Sequence, residues 1–444
     1  MPSQFPPQDS STEQAGWQRS FFLIWTGQTF SLLGSTVVQF ALVWWLTSTT
    51  NSALVLSTSA FVSMLPGIFL APFAGALVDR WNRKRVMIVA DSAIALATIV
   101  LVYLFWIGSI QIWHIYVVSF LRGLGSTFHW PAMQASTSLM VPPKHFARIQ
   151  GINQALSAII NIIAPPLGAL LIGLWSMHQV LMLDVVTAAI AVFSLALVSI
   201  PQPVRVDGNL PVTPALVLRD IREGFQYLAG WRGAVLLIAV ALLLNFLLTP
   251  AFVLAPLMIT RIFNGGAWEM GAMESALAAG MVAGGLALGI WGGFKDKMVT
   301  SLTGVTVMGI GALIVGLAPA NLFLVMIAGM VVLGLANPFA NGPLSAIMQE
   351  RITPEMQGRV FALIGAGANA ISPLATLISG PVAEVLGLRS WYLLAGVACI
   401  VMGIGARFQA DIMSLGRPGE KAPGASPLPG VQEVRGVQEV RTVQ

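Results

Sequence analysis

Residues 52–107 read SALVLSTSAFVSMLPGIFLAPFAGALVDRWNRKRVMIVADSAIALATIVLVYLFWI, two long apolar runs interrupted once. The interruption, Asp79-Arg80-Trp81-Asn82-Arg83-Lys84-Arg85, crowds Asp79, Arg80, Arg83, Lys84 and Arg85 into one short turn. A helix needs about 20 apolar residues to cross a hydrocarbon core of roughly 30 Å. Each run meets that length, so 52–78 and 86–107 are expected to cross lipid in opposite directions around a basic turn.

The rest of the chain has the same texture. Of 444 residues, 56% are hydrophobic and 9% charged, against about 25% charged in an ordinary soluble domain. So few charges could not cover the surface of a soluble protein, and most of the chain must have lipid as its solvent. Breaks at Gly, Pro and charge clusters place further spans near 21–47, 113–140, 150–173, 179–200, 233–260, 267–293, 299–318, 321–348, 358–384 and 389–411. The expectation is an all-α membrane protein with twelve transmembrane helices. Residues 1–20 form an N-terminal tail without a basic-then-apolar signal pattern, so the first helix acts as its own insertion signal. The one cysteine, Cys399, excludes an intramolecular disulfide and a Cys metal cluster.

Orientation follows the basic residues. With both termini inside, Arg80, Arg83, Lys84, Arg85, Lys144, Arg148, Lys295, Lys297, Arg351 and Arg359 all fall in cytoplasmic turns. Of 23 basic residues, only Arg261 and Arg389 then lie outside, with Arg122 inside a span. Topology thus explains the net charge of +5, and no nucleic-acid partner is implied.

A polar stretch at 201–232 separates two six-helix bundles, 21–200 and 233–411. Within it Val217, Ile221, Phe225 and Leu228 recur at helical spacing opposite Arg219, Asp220, Arg222 and Glu223, which reads as an amphipathic helix on the inner membrane face. Residues 412–444 are Pro- and Gly-rich, end in a tandem Gly-Val-Gln-Glu-Val-Arg repeat, and read as a disordered cytoplasmic tail. Pro131, Pro143 and Arg148 match Pro343, Pro354 and Arg359 at an offset of 211–212 residues, each turn following the fourth helix of its half. Two parallel repeats flanking a linker are the layout of one large transporter class, with substrate bound between the halves near the midplane.

Several polar residues sit where lipid penalises them. Arg122 lies nine residues into the fourth span, about 13 Å deep. There an Arg costs at least about 2.5–3.5 kcal/mol, so it should face a polar cavity or tie helix ends through backbone carbonyls. Asp91, Asp184 and Glu274 are carboxylates within spans, and low dielectric suits such groups to proton exchange near neutral pH. Asp91 has a second reading as a salt-bridge partner of the basic turn; Asp184 and Glu274 have one as side chains reaching the outer interface. Gln28, Gln39, Asn245, Asn337 and Asn341 either line a cavity or bridge helices. Pro165 and Pro166 kink the fifth helix beside Gly168. Gly280, Gly284, Gly285 and Gly289 form small-residue packing contacts. His129 is a cavity residue or a structural one. In the basic turn, Gly75 permits close helix approach, and Asp79 faces a helix N-terminus or pairs with an Arg.

The turn from Gly75 to Arg85 resembles the signature loop between helices 2 and 3 of the major facilitator superfamily. Arg122-Gly-Leu-Gly125-Ser126 resembles the helix-4 motif of its drug/proton antiporters. Ala164-Pro165-Pro166-Leu167-Gly168-Ala169 is similar to their Gly-Pro-x-x-Gly-Gly motif, with Ala in place of two glycines. Together with the segments 219–228 and Asn245 to Pro256, these make the chain over 17–412 look like the macrolide-efflux and enterobactin-exporter branch. The resemblance implies the two pseudo-symmetric six-helix bundles of the major facilitator fold in a bacterial inner membrane, with both termini cytoplasmic. It implies a latch at Gly75, Asp79, Arg80 and Arg83, and Arg122 linked to proton transfer or substrate charge. The implied activity is export of a hydrophobic or amphiphilic small molecule driven by proton entry, by a protein expected to be monomeric. A facilitator or importer of a small metabolite is the alternative. His114, His129, His145 and His178 are scattered without ligand spacing, so no metal site, cofactor or enzyme chemistry is expected. No phosphate-binding Gly-x-x-x-x-Gly-Lys-Ser/Thr loop supports an ATP-driven pump.

Overall fold

A computed structural model describes residues 13–200, 222 and 225–416, leaving out the side chains of 13–16 and of a few positions inside helices, Asp79 among them. Among the described residues there are twelve long helices and no strand. They are α1 (Glu13–Thr50), α2 (Ala53–Arg80), α3 (Arg83–Trp106), α4 (Ile112–Met140), α5 (Pro143–Leu174), α6 (Met177–Leu197), α7 (Arg232–Ile262), α8 (Ala267–Trp291), α9 (Lys297–Leu317), α10 (Phe323–Arg351), α11 (Pro354–Leu386) and α12 (Arg389–Gly405). A 3₁₀ turn at Ala406–Phe408 and a short α13 (Ala410–Ser414) follow. Eleven of the twelve are long and apolar enough to cross a bilayer. The remaining one, α4, has the length, at 29 residues, but Arg122, His129 and Gln134 dilute its apolar character.

Helix ends differ from the sequence expectation for a physical reason. Pro143 reads as a break, yet it opens α5, as Pro354 opens α11. Proline is well suited to the first turn, where its missing N–H has no partner to lose. Residues 412–416, assigned to the tail, instead fold back: Ile412 and Leu415 are buried against Leu228, Trp231, Ala234 and Met298. In the linker, 225–229 is helical with Phe225 exposed and Leu228 buried. Its earlier part, including Val217, Arg219, Asp220, Ile221 and Glu223, lies outside the described residues, as do 1–12 and 417–444.

The repeat is visible in the helix starts. Ala53, Arg83, Ile112, Pro143 and Met177 are followed 211–214 residues later by Ala267, Lys297, Phe323, Pro354 and Arg389. Asn82 and Asp296, the residues before α3 and α9, cap those helices with their side-chain oxygens. Packing repeats too. In the first half α1 packs on α5 and α6, α2 on α4, and α3 on α4 and α6; in the second, α7 packs on α11 and α12, α8 on α10, and α9 on α10 and α12. Across the halves, α2 packs on α11 and α5 on α8, which are exchanged by the same pseudo-twofold relation.

The halves meet unequally at their two ends. On the face away from the basic turns, one apolar core runs across both halves, from Leu46, Leu56 and Leu101 to Leu257, Met258, Met326 and Tyr392. A Cβ on Gly380 of α11 would collide with Ser57 and Leu54 of α2, and one on Gly271 of α8 with Pro165 of α5. On the basic face, the cores among the described residues stay within one half, Val78, Met87 and Leu195 in the first and Met298, Ile347 and Val360 in the second. Gly75, Gly151, Gly289 and Gly365, toward the basic ends of the same four helices, have no atom within 4 Å of a Cβ position. The molecule is closed on one face and parted on the other.

Of the four glycines that follow Gly271 along α8, only Gly280 and Gly284 sit against α10, where a Cβ would strike the backbone at Val331 and Leu335; Gly285 and Gly289 face open space. Gly284→Val is therefore expected to destabilise the protein by about 1–3 kcal/mol through overpacking, while Gly285→Val leaves it near wild type. Thermal unfolding of the two variants in detergent checks the contrast.

Candidate functional site

Three helices of the first half carry polar groups seven residues apart, Gln28 and Ser35 on α1, Asp91 and Thr98 on α3, and Arg122 and His129 on α4, and α6 adds Asp184. Seven residues are two helical turns, about 10 Å, so these groups form two layers. The deeper layer is built on an ion pair. Arg122 Nη1 lies 2.5 Å from Asp184 Oδ2. Thr98 Oγ1 donates to the same oxygen at 3.0 Å, and Ser35 Oγ donates to Asp184 Oδ1 at 2.7 Å. Arg122 also donates to Thr98 Oγ1 at 3.2 Å and to the Ser35 carbonyl at 3.2 Å. Asp184 is fully buried and Arg122 nearly so.

In the layer nearer the basic face, Gln28 Nε2 donates to Asp91 Oδ2 at 3.0 Å. His129 Nε2 lies 3.2 Å from Asp91 Oδ1, within charge-pairing distance but without the alignment of a hydrogen bond. Asp91 is thus turned inward to α1 and α4 rather than to the basic turn. Asp184 lies inside the bundle rather than at the outer interface.

Two cavities open on these layers. One of about 580 Å³ lies between the halves and is lined by Gln39, Ser63, Arg122, Ser126 and Ser372, among others. The second, about 250 Å³, sits within the first half between α1, α3, α4 and α5, with Asp91, His129 and Gln28 in its wall together with Trp25, Trp130 and Asn153. Ser126 lines both. In the second half, Asn245, Asn337 and Asn341 gather around a smaller cavity of about 190 Å³. Asn245 and Asn341 each spend an amide N–H on the carbonyl four residues back, at 2.9 and 3.1 Å. Glu274 on α8 is half-buried and makes no hydrogen bond or ion pair among the described residues.

The α5 kink has a use beyond bending. Pro166 has no N–H to give the Ile162 carbonyl, and Ser275 of α8 donates to that carbonyl at 2.6 Å. Pro165 lies against Gly271 of α8, and Gly168 accommodates Phe40 of α1. The kink therefore joins the two halves. On the basic turn, Arg83 is buried and donates to the Ala135 carbonyl near the end of α4 at 2.8 Å. Lys84 donates to the Ala196 and Val198 carbonyls at the end of α6, at 2.9 and 2.8 Å. Both place positive charge at helix C-termini, where it is favoured. Arg80 is exposed, Gly75 has free space beside it, and the Asp79 side chain lies outside the description.

The opposite face carries a charged link that the sequence did not single out. Arg261, at the end of α7, donates to Glu384 of α11 at 3.1 and 3.3 Å and also to the Asn51 carbonyl in the first half. Glu384 accepts from the Ala53 amide at the start of α2 at 3.2 Å. Asn51 holds a left-handed backbone, φ 47°, a conformation asparagine tolerates, and so turns its carbonyl toward Arg261. Sequence reading weighed Arg261 only as an outer charge. Ser35, Thr98 and Ser275 were missed outright; the seven-residue recurrence of polar groups on α1, α3 and α4 was the available signal for the first two.

Comparison with known proteins agrees with this architecture. The Major Facilitator Superfamily profile matches residues 24–298 and 237–441. The chain is 34% identical to Macrolide efflux protein A of Streptococcus pyogenes over 388 residues, covering 87% of this chain and 95% of that protein. It is 28% identical to the multidrug efflux pump Tap of Mycolicibacterium fortuitum over 401 residues, covering 86% and 93%. A solved structure of a mutant of the nucleoside transporter NupG shares the fold at a TM-score of 0.63 and 14% identity, covering 89% of this chain and 100% of that one.

Removing one partner of a buried ion pair strands the other charge, at a cost of about 3–5 kcal/mol, whereas replacing both with apolar residues is far milder. Asp184→Ala is expected to lower the melting temperature sharply and the Arg122→Met/Asp184→Leu double variant to recover much of it. Size-exclusion profiles and thermal melts of the three proteins in detergent measure this.

Proposed function

This chain, a multi-pass membrane transporter, belongs to the major facilitator superfamily, and we propose that it exports hydrophobic or amphiphilic small molecules by alternating access coupled to proton entry. The observation that carries the reading is the unequal meeting of the halves: closed on one face, parted on the other, with polar cavities and paired charges between. That is the arrangement a carrier adopts in one of its two access states. The basic turns on the parted face support an inward-facing state in a bacterial inner membrane with both termini in the cytoplasm. Likeness to macrolide and multidrug efflux proteins supports export over import, and the protein acts as a monomer.

In this reading the halves rock as units. The Arg261–Glu384–Asn51 link and the close approaches at Gly380 and Gly271 hold the outer face shut. In the outward-facing state they part, and the space beside Gly75 is filled as the basic ends of α2 and α11 come together. Asp79, Arg80 and Arg83 steady that second state. Arg122 and Asp184 stay paired throughout and keep α1, α3, α4 and α6 moving as one body. The groups that exchange charge are those with looser partners: Asp91 with His129, and Glu274. Gln39, with the cavity serines, lines the passage between the halves.

Two measurements test this. In inside-out vesicles, a pH-sensitive dye should report collapse of a proton gradient when a macrolide or lipophilic cation is added, only where the protein is present; no response across a panel of cargoes would overturn proton-coupled export. Thr260 of α7 and Asn51 of the first half meet through their side chains across the outer face at 3.5 Å. An Asn51→Cys/Thr260→Cys pair in a Cys399→Ala background, bridged by a short cleavable thiol crosslinker, should therefore lose transport and regain it on cleavage. Full transport by the crosslinked protein would exclude opening at that face.

A further inference from the structure

Where the basic turn meets the bundle, α3 and α4 part to leave a groove of about 500 Å³. Small residues make room for it, Ala90 and Ala93 on α3 and Gly125 on α4, while Val86, Val89 and Leu121 give it apolar walls. A Cβ on Gly125 would strike Ile94, so the two helices touch at that point and the groove lies beside the contact. Val89 and Leu121 are exposed, and on so apolar a bundle the solvent they face is lipid. Arg85 and Ala93, which both line the groove, are eight residues apart on α3, about 12 Å. That is most of one half of a hydrocarbon core, about 15 Å.

The mouth of the groove is polar. Trp81, Asn82 and Arg85 line it, and no carboxylate does. The Asn82 side-chain oxygen is occupied, since it accepts from the Arg85 amide at 3.1 Å. The donors are not: among the described residues the Arg85 guanidinium, the Trp81 indole N–H and the Asn82 amide N–H make no hydrogen bond or ion pair. The nearby charges are those of the turn itself, Arg80, Arg83 and Lys84 besides Arg85, against Asp79. Arg83 and Lys84 are drawn to carbonyls near the ends of α4 and α6, and Arg85 is the cation in the lining.

We propose that this groove binds an anionic phospholipid of the adjoining leaflet, with an acyl chain along α3 and α4 and the phosphate on Arg85, Trp81 and Asn82. The arginine fork matches phosphate oxygens. Tryptophan is suited to the headgroup level, where its ring is apolar and its N–H is wet, and Trp81 is steadied there by the Phe128 ring at 6.0 Å. In the orientation proposed above the groove opens to the cytoplasmic leaflet, whose negative lipids are attracted to basic pockets between helices. The duplicated fold does not by itself demand such a groove. By helix start, Trp81, Asn82 and Arg85 correspond to Lys295, Asp296 and Val299, so the second half puts a carboxylate beside its lysine and has no arginine there. Its α9 and α10 instead approach through backbone, Gly304 on Ala340 and Gly311 on Gly329.

The test uses the full-length protein purified in detergent, with phosphatidylglycerol and phosphatidylcholine of identical chains as probes. Stepwise binding constants are read by native mass spectrometry, on variants whose size-exclusion profiles and melting temperatures match wild type. The first phosphatidylglycerol is expected to bind wild type at least about fivefold more tightly than the first phosphatidylcholine, the effect of about one charge at a membrane surface. Arg85→Gln should lose that preference and Arg85→Lys should keep most of it. Ala93→Phe, which fills the groove from an exposed position, should weaken the first site for both lipids. Arg148→Gln removes an exposed charge near the start of α5 and should leave both constants unchanged. Equal constants for the two lipids, a preference that survives in Arg85→Gln, wild-type binding by Ala93→Phe, or an equal loss in Arg148→Gln would each overturn the site, the last by showing diffuse attraction to the basic turns. Ethidium binding that Ala93→Phe abolishes while phosphatidylglycerol binding stays intact would give the groove to a cargo instead. The lipid constants are read without a gradient, so their failure would leave the export reading standing.

Discussion

A guanidinium inside an apolar bundle must find its counter-charge there, and the first half of this molecule is organised around that demand. Arg122 on α4 finds Asp184 on α6, and the remaining valences are met by Ser35 on α1 and Thr98 on α3. Four helices are thereby fixed in depth and rotation at one level. A buried pair is weak evidence for stability, because apolar residues of similar volume often serve as well. What such a pair supplies here is orientation: α3 and α4 are set so that Asp91 and His129, two turns further along, face each other across the second cavity.

The second half solves the same packing problem without charge. Positions equivalent by helix start to Asp91, Thr98, Arg122, His129 and Asp184 are Val305, Ala312, Leu333, Ala340 and Gly396. There the helices approach through glycine: Gly304 lies on Ala340, Gly311 on Gly329 and Leu333, and Gly309 on Gly396. Close backbone approach gives dispersion contact that lipid cannot match, and leaves little space. The duplicated architecture therefore has a densely packed half and a half held by charge that retains an ionisable cavity.

Much of this was legible in the sequence, for a reason particular to lipid. Bilayer thickness fixes span length, so counting apolar runs between charges gives the helices directly. Prolines misled at Pro143 and Pro354, where a residue that breaks a helix interior instead begins one. The partners of the buried charges were less accessible. Arg122 and Asp184 are 62 residues apart, and which faces of α4 and α6 meet depends on rotations that the sequence does not state. Glu384 was passed over because a carboxylate near a helix end has an ordinary explanation at the membrane surface. Only the fold brings it to the start of α2 in the other half.

The strengths of these contacts suggest a division of labour. Arg261 and Glu384 pair within the second half, side chains 31% and 43% exposed, a kind of pair that contributes about 0–1 kcal/mol, and reach the first half through hydrogen bonds alone, Arg261 to the Asn51 carbonyl and the Ala53 amide to Glu384. In the cycle proposed above, so light a link closes the outer face without making its reopening slow. Arg122 and Asp184 are the reverse case, since separating them would strand two charges in low dielectric. Between these extremes lies the pairing of Asp91 with His129. Asp91 is buried, yet His129 Nε2 approaches it at 3.2 Å without the alignment of a hydrogen bond, so this contact is the looser of the two in the bundle. The deeper layer is thus held by a fully bonded pair and the layer nearer the basic face by a looser one, so any rearrangement of charge in this half disturbs the bundle least at Asp91 and His129.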